Sequence, residues 1–91
     1  MITIRSFARL KDIFGEERQC TLSEHNTVAN VLSTLINETQ VPASTLFNSN
    51  GDVHAYLIIM LNKKRMTRAE IKEQILSDGD EIMLYPPVSG G

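Results

Sequence analysis

The chain has 91 residues, a hydrophobic fraction of 42%, a charged fraction of 22% and a formal net charge of -2. That length suits one domain, able to bury roughly 60–65% of its unfolded surface without metal or disulfide staples. The slight acidic excess argues against nucleic acid as the main partner, because phosphate binding needs a Lys/Arg excess; the lone cysteine, Cys20, excludes an intramolecular disulfide and a cysteine-rich zinc site.

The opening MITIRSFARL lacks the basic start and unbroken apolar stretch of a signal peptide. The longest apolar run, Ala55 to Leu61, falls far short of the ~20 residues of a membrane span. The expectation is a soluble, cytoplasmic protein with no membrane partner.

In chain order, Ile2 and Ile4 alternate with Thr3 and Arg5, a strand pattern. FARLKDIFG spaces Phe7, Leu10 and Phe14 by three and four, predicting a short helical turn ended by Gly15. RQCTL alternates again, with Cys20 and Leu22 on one face, and should return antiparallel to the first strand. Val28, Val31, Leu32, Leu35 and Ile36 make one apolar helical face. Thr27 can cap it, with Asn30 in place of the acid of a full capping box, and Pro42 bars continuation beyond about Gln40.

Residues 43–54 are turn-rich, with Asn50-Gly51-Asp52 as a tight turn. AYLIIML is apolar at every position and predicts a central strand covered on both faces. Asn62-Lys63-Lys64 is a turn; TRAEIKEQIL is a short helix facing Ile71, Ile75 and Leu76 inward; Asp78-Gly79 turns again. In the last strand, EIMLY, Ile82 and Leu84 point one way and Met83 and Tyr85 the other, before Pro86 and Pro87 stop pairing. Two strands, a helix across the sheet and further strands make an α+β roll with one mixed sheet, in which the first and last strands lie side by side and parallel. The division is a domain over residues 1–85 and a tail over 86–91.

For chemistry, neither a phosphate-binding glycine loop nor a dinucleotide fingerprint is present. His25 and His54 fall in turn segments with no further metal ligands to complete a site, and read as solvent-facing turn residues. Cys20 reads as a buried, inert thiol, since a reactive one needs exposure and a lowered pKa. Lys63, Lys64, Arg65 and Arg68 form a loose basic cluster, read as a solvated surface with an acidic docking partner as the alternative.

The tail PPVSGG has a clearer logic. A free α-carboxylate is ionised at neutral pH and inert toward nucleophiles until its oxygen becomes a leaving group. Adenylation by another protein would supply that. Residues Pro86 to Gly91 reach about 20 Å when extended. Gly90 and Gly91 lack Cβ atoms and can thread a narrow channel, while the prolines start the tail extended. The bland alternative is a frayed terminus. If the helix covers one sheet face, the other leaves Phe7, Met83, Tyr85, Pro86, Pro87 and Val88 as an apolar partner-binding patch.

FARLKDIFG, LNKKRM and DGDEIMLYPPVSGG together resemble the MoaD/ThiS sulfur carriers, most closely MoaD, the small subunit of molybdopterin synthase. The resemblance spans the chain and is strongest in its last fourteen residues; it departs at Asn62-Lys63, where relatives commonly carry Asn-Gly. It implies a ubiquitin-like β-grasp fold and a non-catalytic carrier subunit that binds no cofactor of its own. A MoeB-like activating enzyme would adenylate Gly91 using ATP and Mg²⁺, and a persulfide donor would convert it to a thiocarboxylate. The tail would then enter a MoaE-like large subunit, which passes sulfur to cyclic pyranopterin monophosphate in molybdenum cofactor biosynthesis. Gly91 carries the reactive group and Gly90 gives clearance. The alternatives are a ubiquitin-like modifier joined through Gly91 to lysines, a thiamine-pathway carrier, and a β-grasp interaction module with an inert tail.

Overall fold

The fold is taken from a computed structural model that describes residues 1–21 and 26–86. Five strands form one sheet in the order β2-β1-β5-β3-β4. They are β1 (Ile2–Ser6), β2 (Glu17–Cys20), β3 (Ile58–Leu61), β4 (Lys64–Arg65) and β5 (Glu81–Tyr85). Helix α1 (Arg9–Phe14) joins β1 to β2, α2 (Val28–Thr39) follows β2, and α3 (Arg68–Glu73) precedes β5. The first and last strands meet in parallel, with Ile4 beside Ile82 and Ser6 beside Leu84. Every other pairing is antiparallel. This is the mixed sheet with one main helix across it that the sequence predicts.

Alternation dictates the core. Ile2, Ile4, Ile59, Leu61, Ile82 and Leu84 face one side of the sheet, where they meet Val28, Val31, Leu32, Leu35 and Ile36 of α2. The Thr27 hydroxyl accepts from the Asn30 backbone N–H at 3.2 Å, the partial cap read from sequence. Gln40 ends α2 in the left-handed region at φ 58, and Pro42 follows. Leu46, Val53, Leu57 and Ile71 join the same cluster, so the 43–54 segment and α3 cover the α2 side and leave the opposite face open.

Four expectations need correction. First, β3 begins only at Ile58, and its burial alternates instead of being complete on both faces. Ala55 and Tyr56 lie in a turn; β3 is an interior strand between β5 and the short β4, as expected, but only one of its faces is covered. Second, Ile75 is 50% exposed. Gln74 leaves the helix with extended backbone, and residues 75–76 run beside 26–27, the Leu76 N–H bonding to the Asn26 carbonyl at 2.8 Å. In extended chain Ile75 and Leu76 point opposite ways, so only Leu76 reaches the core. Third, Phe7 precedes α1 and does not share its inward face; only Leu10 and Phe14 do. Fourth, Cys20 is half-buried rather than buried. Leu22 and His25 lie outside the described residues.

The turn after β3 keeps two positive-φ residues, Asn62 at 52° and Lys63 at 70°, which is the two-residue hairpin geometry that Asn-Gly usually fills. Asn62 secures it from both ends of its amide: Oδ1 accepts from the Glu81 N–H at 2.9 Å and Nδ2 donates to Asp80 at 2.9 Å.

Candidate functional site

The open sheet face is built by the residues that alternate with the core. Register sets Met60 opposite Met83 and Ile58 opposite Tyr85. On the other side of β5, the Phe7 ring lies flat on Tyr85, with centroids 4.3 Å apart and planes within 4°. The Phe7 N–H donates to the Leu84 carbonyl at 3.1 Å and continues the parallel pairing by one step beyond β1. Directly after it, Ala8 has φ 53 and ψ -128, a region that disfavours any side chain, and so redirects the chain from β1 into α1.

Phe7, Met83, Tyr85 and Pro86 are thus brought onto or beside one half-buried apolar surface. Ile58 and Met60 extend it. Sequence reasoning missed these two because an apolar run looks alike whether its second face is covered by protein or left open. Pro87, Val88, Gly90 and Gly91 lie outside the described residues.

Charge borders the patch on the β2 side. Arg5 stands beside Met83 in the parallel register. Its guanidinium bonds Glu81 at 2.7 Å through Nε and Glu17 at 2.9 Å through the terminal nitrogen. The hydrogen bond to Glu81, followed by the charge of Glu17, raises its pKa further. Three side chains from three strands therefore form a charged edge to an apolar surface.

The remaining candidates carry less chemistry. Burial, reinforced by Glu38, pushes the Cys20 thiol up, away from the thiolate form that reacts. The His54 Nε2 lies 2.7 Å from the Ser44 carbonyl, which can only accept, so that nitrogen bears a proton; the ring also stacks on Tyr56 at 4.6 Å. His54 is half-buried in these contacts, not a freely solvated turn residue. Among the described residues no group of three His, Cys, Asp or Glu side chains could hold a metal ion, and no helix is long and apolar enough to cross a membrane.

Three likenesses bear on this geometry. Small archaeal modifier protein 3 of Haloferax volcanii is 26% identical, over 99% of this chain and 98% of its own. Small archaeal modifier protein 1 of the same organism superposes with a TM-score of 0.84 at 25% identity, over 99% of this chain and 98% of its own. A chain of the Amycolatopsis orientalis BexX/CysO complex matches with a TM-score of 0.80 over the full length of both chains, at 17% identity, a likeness of fold. The family model described as ThiS matches residues 4–91. With its mixed sheet, parallel β1–β5 pair and crossing helix, the chain belongs to the ThiS family of ubiquitin-like sulfur carriers and modifiers.

Proposed function

We propose that this protein is a small ubiquitin-like modifier whose Gly91 carboxylate is activated by a partner and joined to lysine amines. The observation that carries the reading is the placement of β5. It is the middle strand of the sheet, bonded on both sides, and it delivers Tyr85 and Pro86 from rigid structure beside the apolar face. On this reading residues 1–85 are a handle, residues 86–91 are the tail, and Phe7, Met83, Tyr85, Pro86, Pro87 and Val88 dock the partner. The full-length likeness to small archaeal modifier proteins supports modification as the leading use.

The chemistry is acyl activation. The Gly91 carboxylate attacks the α-phosphorus of ATP in a MoeB-like enzyme, with Mg²⁺ on the phosphates, and expels pyrophosphate. A lysine amine then attacks the acyl-adenylate, expels AMP and leaves an isopeptide bond. Gly90, without a Cβ, lets the tail pass a narrow channel. The protein supplies position and the acyl group, and binds no cofactor itself.

A second reading shares the first step. A persulfide sulfur displaces AMP, and a thiol cleaves the resulting acyl disulfide to leave a thiocarboxylate. A MoaE-like large subunit then uses that sulfur on cyclic pyranopterin monophosphate. The sequences FARLKDIFG and DGDEIMLYPPVSGG favour it. The readings separate in cell extracts of the native source supplied with ATP and Mg²⁺. The modifier reading expects lysine adducts linked through Gly91 that vanish without ATP. A thiocarboxylate with no lysine adduct selects the second reading, and neither product overturns both.

A further inference from the structure

The basic segment after β3 forms part of a groove that the tail chemistry does not use. It has a volume of about 450 Å³ and lies between the end of the 43–54 segment, the β3–β4 edge and α3. Its floor is apolar: Val53, Leu57, Ile59, Met66 and Ile71 line it, and all five belong to the buried core cluster. Its rim is cationic. Arg65, Arg68 and Lys72 stand against a single carboxylate, Asp52. Lys72 pairs with Asp52 at 2.7 Å, and Arg68 adds its charge to the same carboxylate, while Arg65 has no carboxylate within ion-pair distance among the described residues. Three cations against one carboxylate therefore give this apolar trough a positive excess, in a chain whose formal net charge is -2.

The groove also adjoins an unpaired strand. β4 is last in the sheet order, so its outer side has no partner strand among the described residues. Such an edge accepts an extended peptide through main-chain hydrogen bonds, while alternate side chains enter neighbouring pockets. The neighbouring pocket here wants an apolar side chain, and the guanidiniums beside it want carboxylates, which they grip as a planar fork.

We propose that this groove is a docking site for an extended peptide of a partner protein in which large apolar residues alternate with acidic ones. The apolar side chains occupy the Val53–Ile71 trough, and the acidic ones bond Arg65 and Arg68. It meets the Phe7–Tyr85 face only at β4, where Arg65 lies opposite Met60, and gives the folded part of the molecule a recognition role of its own. It needs no activated tail, so its failure and the failure of the acyl-carrier reading are distinguishable.

The test is amide chemical-shift titration of the full chain with a capped six-residue peptide alternating glutamate with valine or leucine. The control peptide has glutamine in place of glutamate. Expected are saturable shifts centred on residues 52–57 and 64–72, weakened by salt, and at least about tenfold weaker binding by the glutamine peptide. The doubly charge-reversed variant Arg65→Glu/Arg68→Glu should lose binding by a similar factor. Both positions are exposed, and unchanged far-UV circular dichroism and unfolding midpoint would show that the variant is folded. Shifts confined to the Phe7–Tyr85 face, equal binding of the two peptides, or no saturable shift would each overturn the proposal. If Arg65→Glu/Arg68→Glu does not fold, the same comparison with Arg65→Gln/Arg68→Gln decides.

Discussion

Ser6 ends β1 beside Leu84 and is 2% exposed, and among the described residues its hydroxyl has no hydrogen-bond partner. A hydroxyl taken from water with nothing to bond costs ~1–3 kcal/mol on the scale of protein mutations. Ser6→Ala removes that cost. The oxygen leaves a small void, which at ~24 cal/mol per Å³ subtracts only about 0.3 kcal/mol. The net expectation is a gain of about 1 kcal/mol, or roughly 4–8 °C in Tm for a domain of this size. The assay is urea and thermal unfolding followed by far-UV circular dichroism, with the denaturant slope unchanged between wild type and variant. A variant less stable by more than about 0.5 kcal/mol would refute the reasoning, because it would mean that the hydroxyl is bonded in the folded protein.

Three further outcomes are expected. Lys63→Gly relieves a left-handed residue at φ 70; after the extra entropy of an unfolded glycine, a gain of up to about 1 kcal/mol should appear in the urea midpoint, and a loss contradicts the turn assignment. Glu70 accepts from the Thr67 N–H at 2.8 Å, and this backbone bond, followed by the Thr67 side chain, lowers its pKa below the ordinary 4.5. A depressed carboxyl stabilises fully above its unfolded value and loses that contribution as pH falls through the folded one. Glu70→Gln keeps a capping side chain but cannot titrate, so it should flatten the acid limb of stability below pH 4.5; an unchanged limb argues against the bond between the Glu70 carboxylate and the Thr67 N–H. Met83→Gln, on the open sheet face, should leave stability within about 1 kcal/mol yet weaken capture of the activating enzyme at least tenfold. Equal capture in a binding assay would remove that face from the partner contact.

Legibility followed the physics of each segment. Helix α2 could be read because its apolar face, the Thr27 cap and Pro42 all agree, and the parallel β1–β5 pair followed from strand order. The extent of β3 could not be read. Alternation reports burial only when one face is polar, and Ile58 and Met60 are apolar on the open side. Ile75 misled because no glycine or proline marks the end of α3; the helix stops at Glu73, and the chain beyond it pairs with residues 26–27. The open face was half legible: Met83 and Tyr85 follow from alternation, but the stacking of Phe7 depends on the Ala8 backbone. The Arg65–Arg68 groove joins residues 52–59 to 65–72, and only the fold brings its apolar floor under the basic rim.

The acyl end at Gly91 is what we propose this protein delivers. Its most direct test is intact mass spectrometry of the chain after incubation with its activating enzyme, ATP, Mg²⁺ and a persulfide donor, beside a variant carrying one extra residue after Gly91. The native chain is expected to gain the mass of AMP as its acyl-adenylate, or, where the persulfide has displaced AMP, to exchange one oxygen for sulfur, while the extended variant, equally folded, keeps its mass. A native chain left unchanged by an activating enzyme shown to be active, or an extended variant modified as readily, would contradict it.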